Sequence, residues 1–166
     1  MQEQLSVLDE IGTLVKNTKK PLKAIQSLME ENSKLQKQME SLQAQQAVSV
    51  KQDLKNKVED FNGVNFLSAK VNLDAGQIKN LCFQLKGEID NLFLILGTAQ
   101  NGKPNLQIAI SEELAKAKDL NAGRIIRELA KEIKGGGGGQ PFYASAGGGD
   151  ASGLDRALER AKEFIG

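Results

Sequence analysis

The chain has 166 residues, a formal net charge of +1, one cysteine and no histidine. That length holds one compact domain of about 100 residues plus an extension, and the balanced charge means any nucleic-acid binding must come from a local patch. Without histidine, Ser-His-Asp and Cys-His catalysis and Cys/His metal clusters are excluded, and a lone cysteine permits no internal disulfide and fits a reducing cytoplasm.

Residues 1–60 read as helical. Leu5, Leu8, Ile11 and Val15 give a helical stripe that stops around Asn17-Thr18. Pro21 suits the first turn of a second helix. That helix carries a heptad repeat, with Ile25, Asn32 and Met39 on one seam position and Leu28, Leu35 and Leu42 on the other. Charged residues Glu30, Glu31, Lys34, Lys37 and Glu40 flank the seam. Beyond Leu42 the apolar positions shift to Ala47, Val50, Leu54, Val58 and Phe61, an offset expected of a stutter or of packing onto a globular part. Asn32 on the seam costs stability but sets register and partner number. Two arrangements remain open: an antiparallel intrachain hairpin, or a homodimer through the coiled coil.

The pattern changes at Asn62-Gly63. Val64–Val71 is rich in β-branched and apolar residues and reads as a strand. Asp74 caps a predicted helix running to about Glu88, with Ile78, Leu81, Cys82, Leu85 and Ile89 on its inner face; Cys82 is expected to be a small core residue. Leu92–Thr98 is a short apolar run expected as a buried strand. Asn101-Gly102 signals a hairpin turn into a partner strand over Leu106–Ile110, with Pro104 marking its start. Ser111, followed by Glu112 and Glu113, reads as an N-cap, and that helix is expected to end near Asn121. Ile125, Ile126, Leu129, Ala130 and Ile133 form the inner face of the next helix.

A glycine-rich segment follows. Gly135–Gly139, Gln140-Pro141-Phe142-Tyr143, Ala144-Ser145-Ala146 and Gly147–Gly149 lie between that helix and a last one with Leu154, Ala157, Leu158, Ala161 and Ile165 inward. Glycine is costly to order, so two glycine runs bracketing an apolar, aromatic centre are read as a loop over 135–149 that lets backbone approach a ligand; a tight structural turn and a flexible linker are the competing readings. The predicted fold class is α+β: a helical hairpin or coiled-coil arm over 1–60, then a small mixed-sheet globular domain over 61–166.

These residues resemble a known family. The Gly135–Gly139 run ending in Gln140-Pro141, then Ala144-Ser145-Ala146-Gly147-Gly148, is similar to the glycine-rich motif of the domain that follows the DHH phosphoesterase domain, Gly-Gly-x-Gly-Gly-Arg-Pro-Asp-x-Ala-x-Ala-Gly-Gly. The same domain ends alanyl-tRNA synthetases, and the preceding coiled coil and Asn121-Ala122-Gly123-Arg124 match that family's C-terminal region. Gln140 stands where the family has arginine, and Phe142-Tyr143 replaces an aspartate and an apolar residue, so a backbone-shaped surface is expected rather than a charge-assisted one.

The resemblance implies a tRNA-binding and oligomerisation or tethering module, partnered by tRNA(Ala) and by upstream domains of the same chain. It implies no catalytic residue and no cofactor here, with ATP, magnesium and zinc belonging upstream. Candidate RNA contacts are Arg124, Arg127, Lys131, Lys134, Gly136, Gly137, Gly138, Gly139, Gln140 and Tyr143, because glycine N–H groups can form an anion nest and an aromatic ring can stack on an unpaired base. Glu128 and Glu132 interleave the cations, so an ordinary solvated face is the alternative; for Phe142 it is core packing. The alternatives for the chain are the nucleotide-binding half of a DHH-type phosphoesterase and a coiled-coil adaptor. The longest apolar runs fall far short of a membrane span, no signal peptide opens the chain, and the expected location is cytoplasmic.

Overall fold

The computed structural model describes residues 1–16 and 19–166. The predicted break at Asn17-Thr18 lies outside them. Two compact units result, residues 1–46 and 47–166. The division falls inside a helix rather than at residue 60, because the last turns of that helix join the core of the second unit.

In the first unit, α1 spans Gln2–Leu14 and α2 begins at Pro21. Helix α2 continues without interruption to Lys55, about 50 Å at 1.5 Å per residue. Leu28, Leu35, Met39 and Leu42 of the seam are all exposed, as are Leu5 and Leu8 of α1; Asn32 is exposed and Ile25 half-buried.

The second unit is built on a six-stranded mixed sheet. Strands β1 (Glu59–Phe61), β2 (Val64–Lys70), β3 (Leu92–Gln100), β4 (Lys103–Ile110), β5 (Gly135–Gln140) and β6 (Tyr143–Gly148) stand in the order β1-β2-β3-β4-β6-β5. Only β2 and β3 run parallel, joined by helix α3 (Ala75–Glu88) as crossover. Short helices α4 (Glu112–Ala117), α5 (Ala122–Leu129) and α6 (Leu154–Arg160) complete the unit.

Both faces of the sheet are covered. Phe93 and Ile95 point to one side, with Ile125, Ile126 and Leu129 of α5 and Leu154, Ala157 and Leu158 of α6. Leu92, Leu94 and Leu96 point to the other, with Ile78, Leu81, Cys82 and Leu85 of α3 and Leu54 of α2. That double burial is why β3 reads as an unbroken apolar run rather than an alternating one. Cys82 is fully buried, and burial pushes its thiol up to about 12, which leaves it an inert core residue.

Local signals act as expected at several ends. Asp74 and Gln77 form a reciprocal capping box, with Gln77 N–H donating to Asp74 Oδ1 at 2.8 Å and Asp74 N–H to Gln77 Oε1 at 3.0 Å. Asn101 and Gly102 both take positive φ, 51° and 73°, the geometry of a two-residue type I′ hairpin. The same signature at Asn62-Gly63, φ 53° and 77°, turns β1 into β2, a strand pair the sequence reading passed over. Ser111 does precede α4, but its hydroxyl accepts from Leu92 N–H at 2.9 Å instead of capping the helix. Helix α4 stops at Ala117, short of the expected Asn121.

The largest correction concerns 135–149. The glycine segment is no loop: its two halves are β5 and β6, an antiparallel hairpin whose ends pair as Gln140 with Tyr143 and Gly135 with Gly148. Glycine's low strand propensity is overridden by packing. A Cβ on Gly135, Gly137 or Gly139 would overlap the β6 carbonyl oxygens of Gly147, Ser145 and Tyr143, respectively. Only glycine lets β5 lie this close to its neighbour.

Candidate nucleic-acid interface

Strand β5 is the last strand of the sheet, and all of it but Gly138 is exposed. Among the described residues no further strand covers its outer edge. Two of its glycines are not demanded by β6. A Cβ on Gly136 would meet nothing within 4 Å, and one on Gly138 would meet only the Arg127 guanidinium, at 3.5 Å. Bare backbone is therefore presented outward, with one cation beside it.

Helix α5 sets that cation in place. Asn121 accepts from Arg124 N–H at 3.0 Å and starts the helix, and Ile125, Ile126 and Leu129 fix its inner face. Gly123 is required because a Cβ there would sit 2.8 Å from the Gly139 carbonyl oxygen, so α5 packs directly on the glycine strand. Arg127 lies on the outer face of this helix, and among the described residues no carboxylate pairs with it. The other predicted cations are engaged. Arg124 Nη2 is 3.8 Å from Asp119, Lys131 Nζ 2.6 Å from Glu128 and Lys134 Nζ 3.0 Å from Asp150. Asp150 is held down at about 2 by the Ser152 hydroxyl and then Lys134. Glu132 is taken by Arg156 and Arg160, so the cations of this face are largely neutralised by neighbours.

Tyr143 is separated from those cations by the sheet. It packs on the α3 side against the core cluster that contains Leu81, Cys82 and Leu85, its hydroxyl donating to Gln107 Oε1 at 2.8 Å. Burial raises its phenol to about 12. Its ring lies 5.0 Å from that of Phe83 on α3, with Lys79 Nζ 5.8 Å away. Lys86 Nζ stands 5.3 Å from the Phe83 ring and 4.8 Å from that of Phe142, at the hairpin tip. Sequence reading missed Lys79, Phe83 and Lys86. The available signal was an aromatic residue just off the buried stripe of α3, with lysines at i−4 and i+3 around it. No group of three or more histidine, cysteine or acidic side chains able to hold a metal occurs among the described residues.

Similarity to known proteins gives the class of this mixed sheet, which is closed by a glycine hairpin and packed under α5 and α6. The chain belongs to the DHHA1 domain family, whose profile matches residues 63–166. It is 54% identical over 164 residues to the alanine–tRNA ligase of Christiangramia forsetii, and 42% identical over 166 residues to that of Cytophaga hutchinsonii. Each alignment covers 99% of this chain but only 19% of the relative, so the chain spans about a fifth of the length of these curated relatives. The C-Ala domain from Aquifex aeolicus alanyl-tRNA synthetase superposes with a TM-score of 0.57 at 26% identity, covering 66% of this chain and 97% of that one.

Proposed function

We propose that this chain is the C-terminal tRNA-binding and tethering module of an alanyl-tRNA synthetase, with aminoacylation and editing carried by other parts of a longer protein. The observation that carries the reading is that 99% of this chain aligns with alanine–tRNA ligases while spanning a fifth of them. On this reading the chain supplies no catalytic residue of its own, which its lack of histidine and its buried cysteine support. ATP, magnesium and zinc belong with the remainder of the enzyme, and the setting is cytoplasmic. The ligand is tRNA(Ala), held through backbone of the glycine strand and the adjacent Arg127 guanidinium, where exposed N–H groups and one fixed cation suit a phosphate. The exposed heptad seam of α2 supports pairing with a second copy, which would raise the effective concentration of each weak tRNA contact.

Fluorescence anisotropy with labelled tRNA(Ala) transcript tests this. The chain should bind it at low salt more tightly than a random RNA duplex, with affinity falling as salt rises by about 0.7–0.9 log units per log of salt for each phosphate neutralised. No binding at low salt, or equal affinity for the random duplex, removes the tRNA-binding reading.

A further inference from the structure

We propose that the outer surface of α3 around Phe83 is a base-stacking and phosphate-binding platform for RNA. This rests on the tRNA-binding reading and adds to the glycine strand and Arg127 a second contact surface, on the opposite face of the sheet. Phe83 is 42% exposed, and between residues 56 and 166 it is the one large apolar side chain left so open. Its ring is backed by Tyr143, whose hydroxyl is held by Gln107. The Gln107 amide in turn donates to Ala75 O at 2.8 Å and Asn105 Oδ1 at 3.0 Å. The ring pair is thus preorganised, which lowers the cost of ordering it on binding.

Charge completes the surface. Lys79 and Lys86 stand over these rings, and among the described residues neither forms an ion pair, in contrast to Arg124, Lys131 and Lys134. Glu88, the one carboxylate on α3, is taken up by Lys51 and Lys55 of α2. A part-exposed aromatic ring beside two cations outside any ion pair is complementary to a base with its phosphates.

The chain contains one tyrosine and no tryptophan, so 3-fluorotyrosine incorporation gives a single fluorine resonance reporting on this surface alone. Titration with tRNA(Ala) transcript should shift that resonance in step with binding measured by anisotropy. Phe83→Ala should weaken binding about tenfold, the scale of one lost base–aromatic stack; Phe83→Trp should retain it and Phe83→Leu should not. The Lys79→Ala, Lys86→Ala double variant should lower the salt slope by about 1.5. Phe83 is exposed, and circular dichroism together with an unchanged thermal midpoint confirms that each variant is folded. If tRNA binds the Phe83 variants with unchanged affinity and the resonance does not move, the platform is wrong while the tRNA-binding reading stands. If the unmodified chain does not bind tRNA at low salt, both fall. Self-association that is lost in Phe83→Ala with tRNA binding intact would make this an interface between copies and overturn the proposal.

Discussion

Single residues in the glycine hairpin have opposite tolerances despite identical chemistry. Gly137 faces the Ser145 carbonyl and Ala146 so closely that a methyl group overlaps both, whereas the Gly136 position opens on nothing within 4 Å. Gly137→Ala should therefore cost about 1–3 kcal/mol, the range for forced overpacking, and lower the thermal midpoint by several degrees. Gly136→Ala should leave it nearly unchanged, and equal midpoints would overturn this account of β5. Glycine content was plain in the sequence, but which glycines are forced by packing depends on how near β6 and α5 come. Gln140 is exposed at the end of β5 and carries no charge where the family has arginine.

At the level of elements, the base of α2 is tied down by charge as well as by apolar packing. Lys51 and Lys55 both engage Glu88 at the end of α3, and Leu54 between them is buried. Hydrogen bonds from Lys51 and then Lys55 lower the Glu88 pKa. A carboxylate depressed in the folded state stabilises above its unfolded value, and that contribution disappears as pH falls through the folded one. Amide exchange in residues 50–56, normalised for its intrinsic pH dependence, should quicken below the ordinary glutamate range, and Glu88→Gln should abolish the acid-specific change. Pairing is exposed, so the effect should also shrink in high salt.

The free part of α2 carries a heptad seam whose leucines are open to solvent in the single chain. We expect Leu35→Glu with Leu42→Glu to give a monomer by sedimentation. Asn32→Leu should tighten the assembly or change its copy number; an oligomeric state indifferent to all three substitutions would rule out a seam between copies. The heptads were readable because period 3.5 is a one-dimensional property. The β5–β6 hairpin was not, because a glycine run has no side-chain alternation to betray a strand.

For the whole molecule, residues 47–166 hold both apolar layers and the entire sheet. That segment alone should unfold cooperatively with a midpoint close to that of the full chain in calorimetry. Its tRNA affinity should fall relative to the full chain if the α2 seam pairs two copies, and match it if the seam plays no part. By itself the sequence determined the helical arm, the α+β class, the strand–helix–strand order of β2, α3 and β3, the cap at Asp74, and the family signature, because these depend on periodicity and on interactions among residues close in the chain. Tertiary structure alone decided that the glycine segment is a sheet edge, that Arg124, Lys131 and Lys134 are neutralised by Asp119, Glu128 and Asp150, and that Tyr143 faces α3 instead of α5. Those outcomes turn on which strand neighbours which and on which carboxylate comes within about 4 Å of a cation, distances set by the packing of elements far apart in sequence.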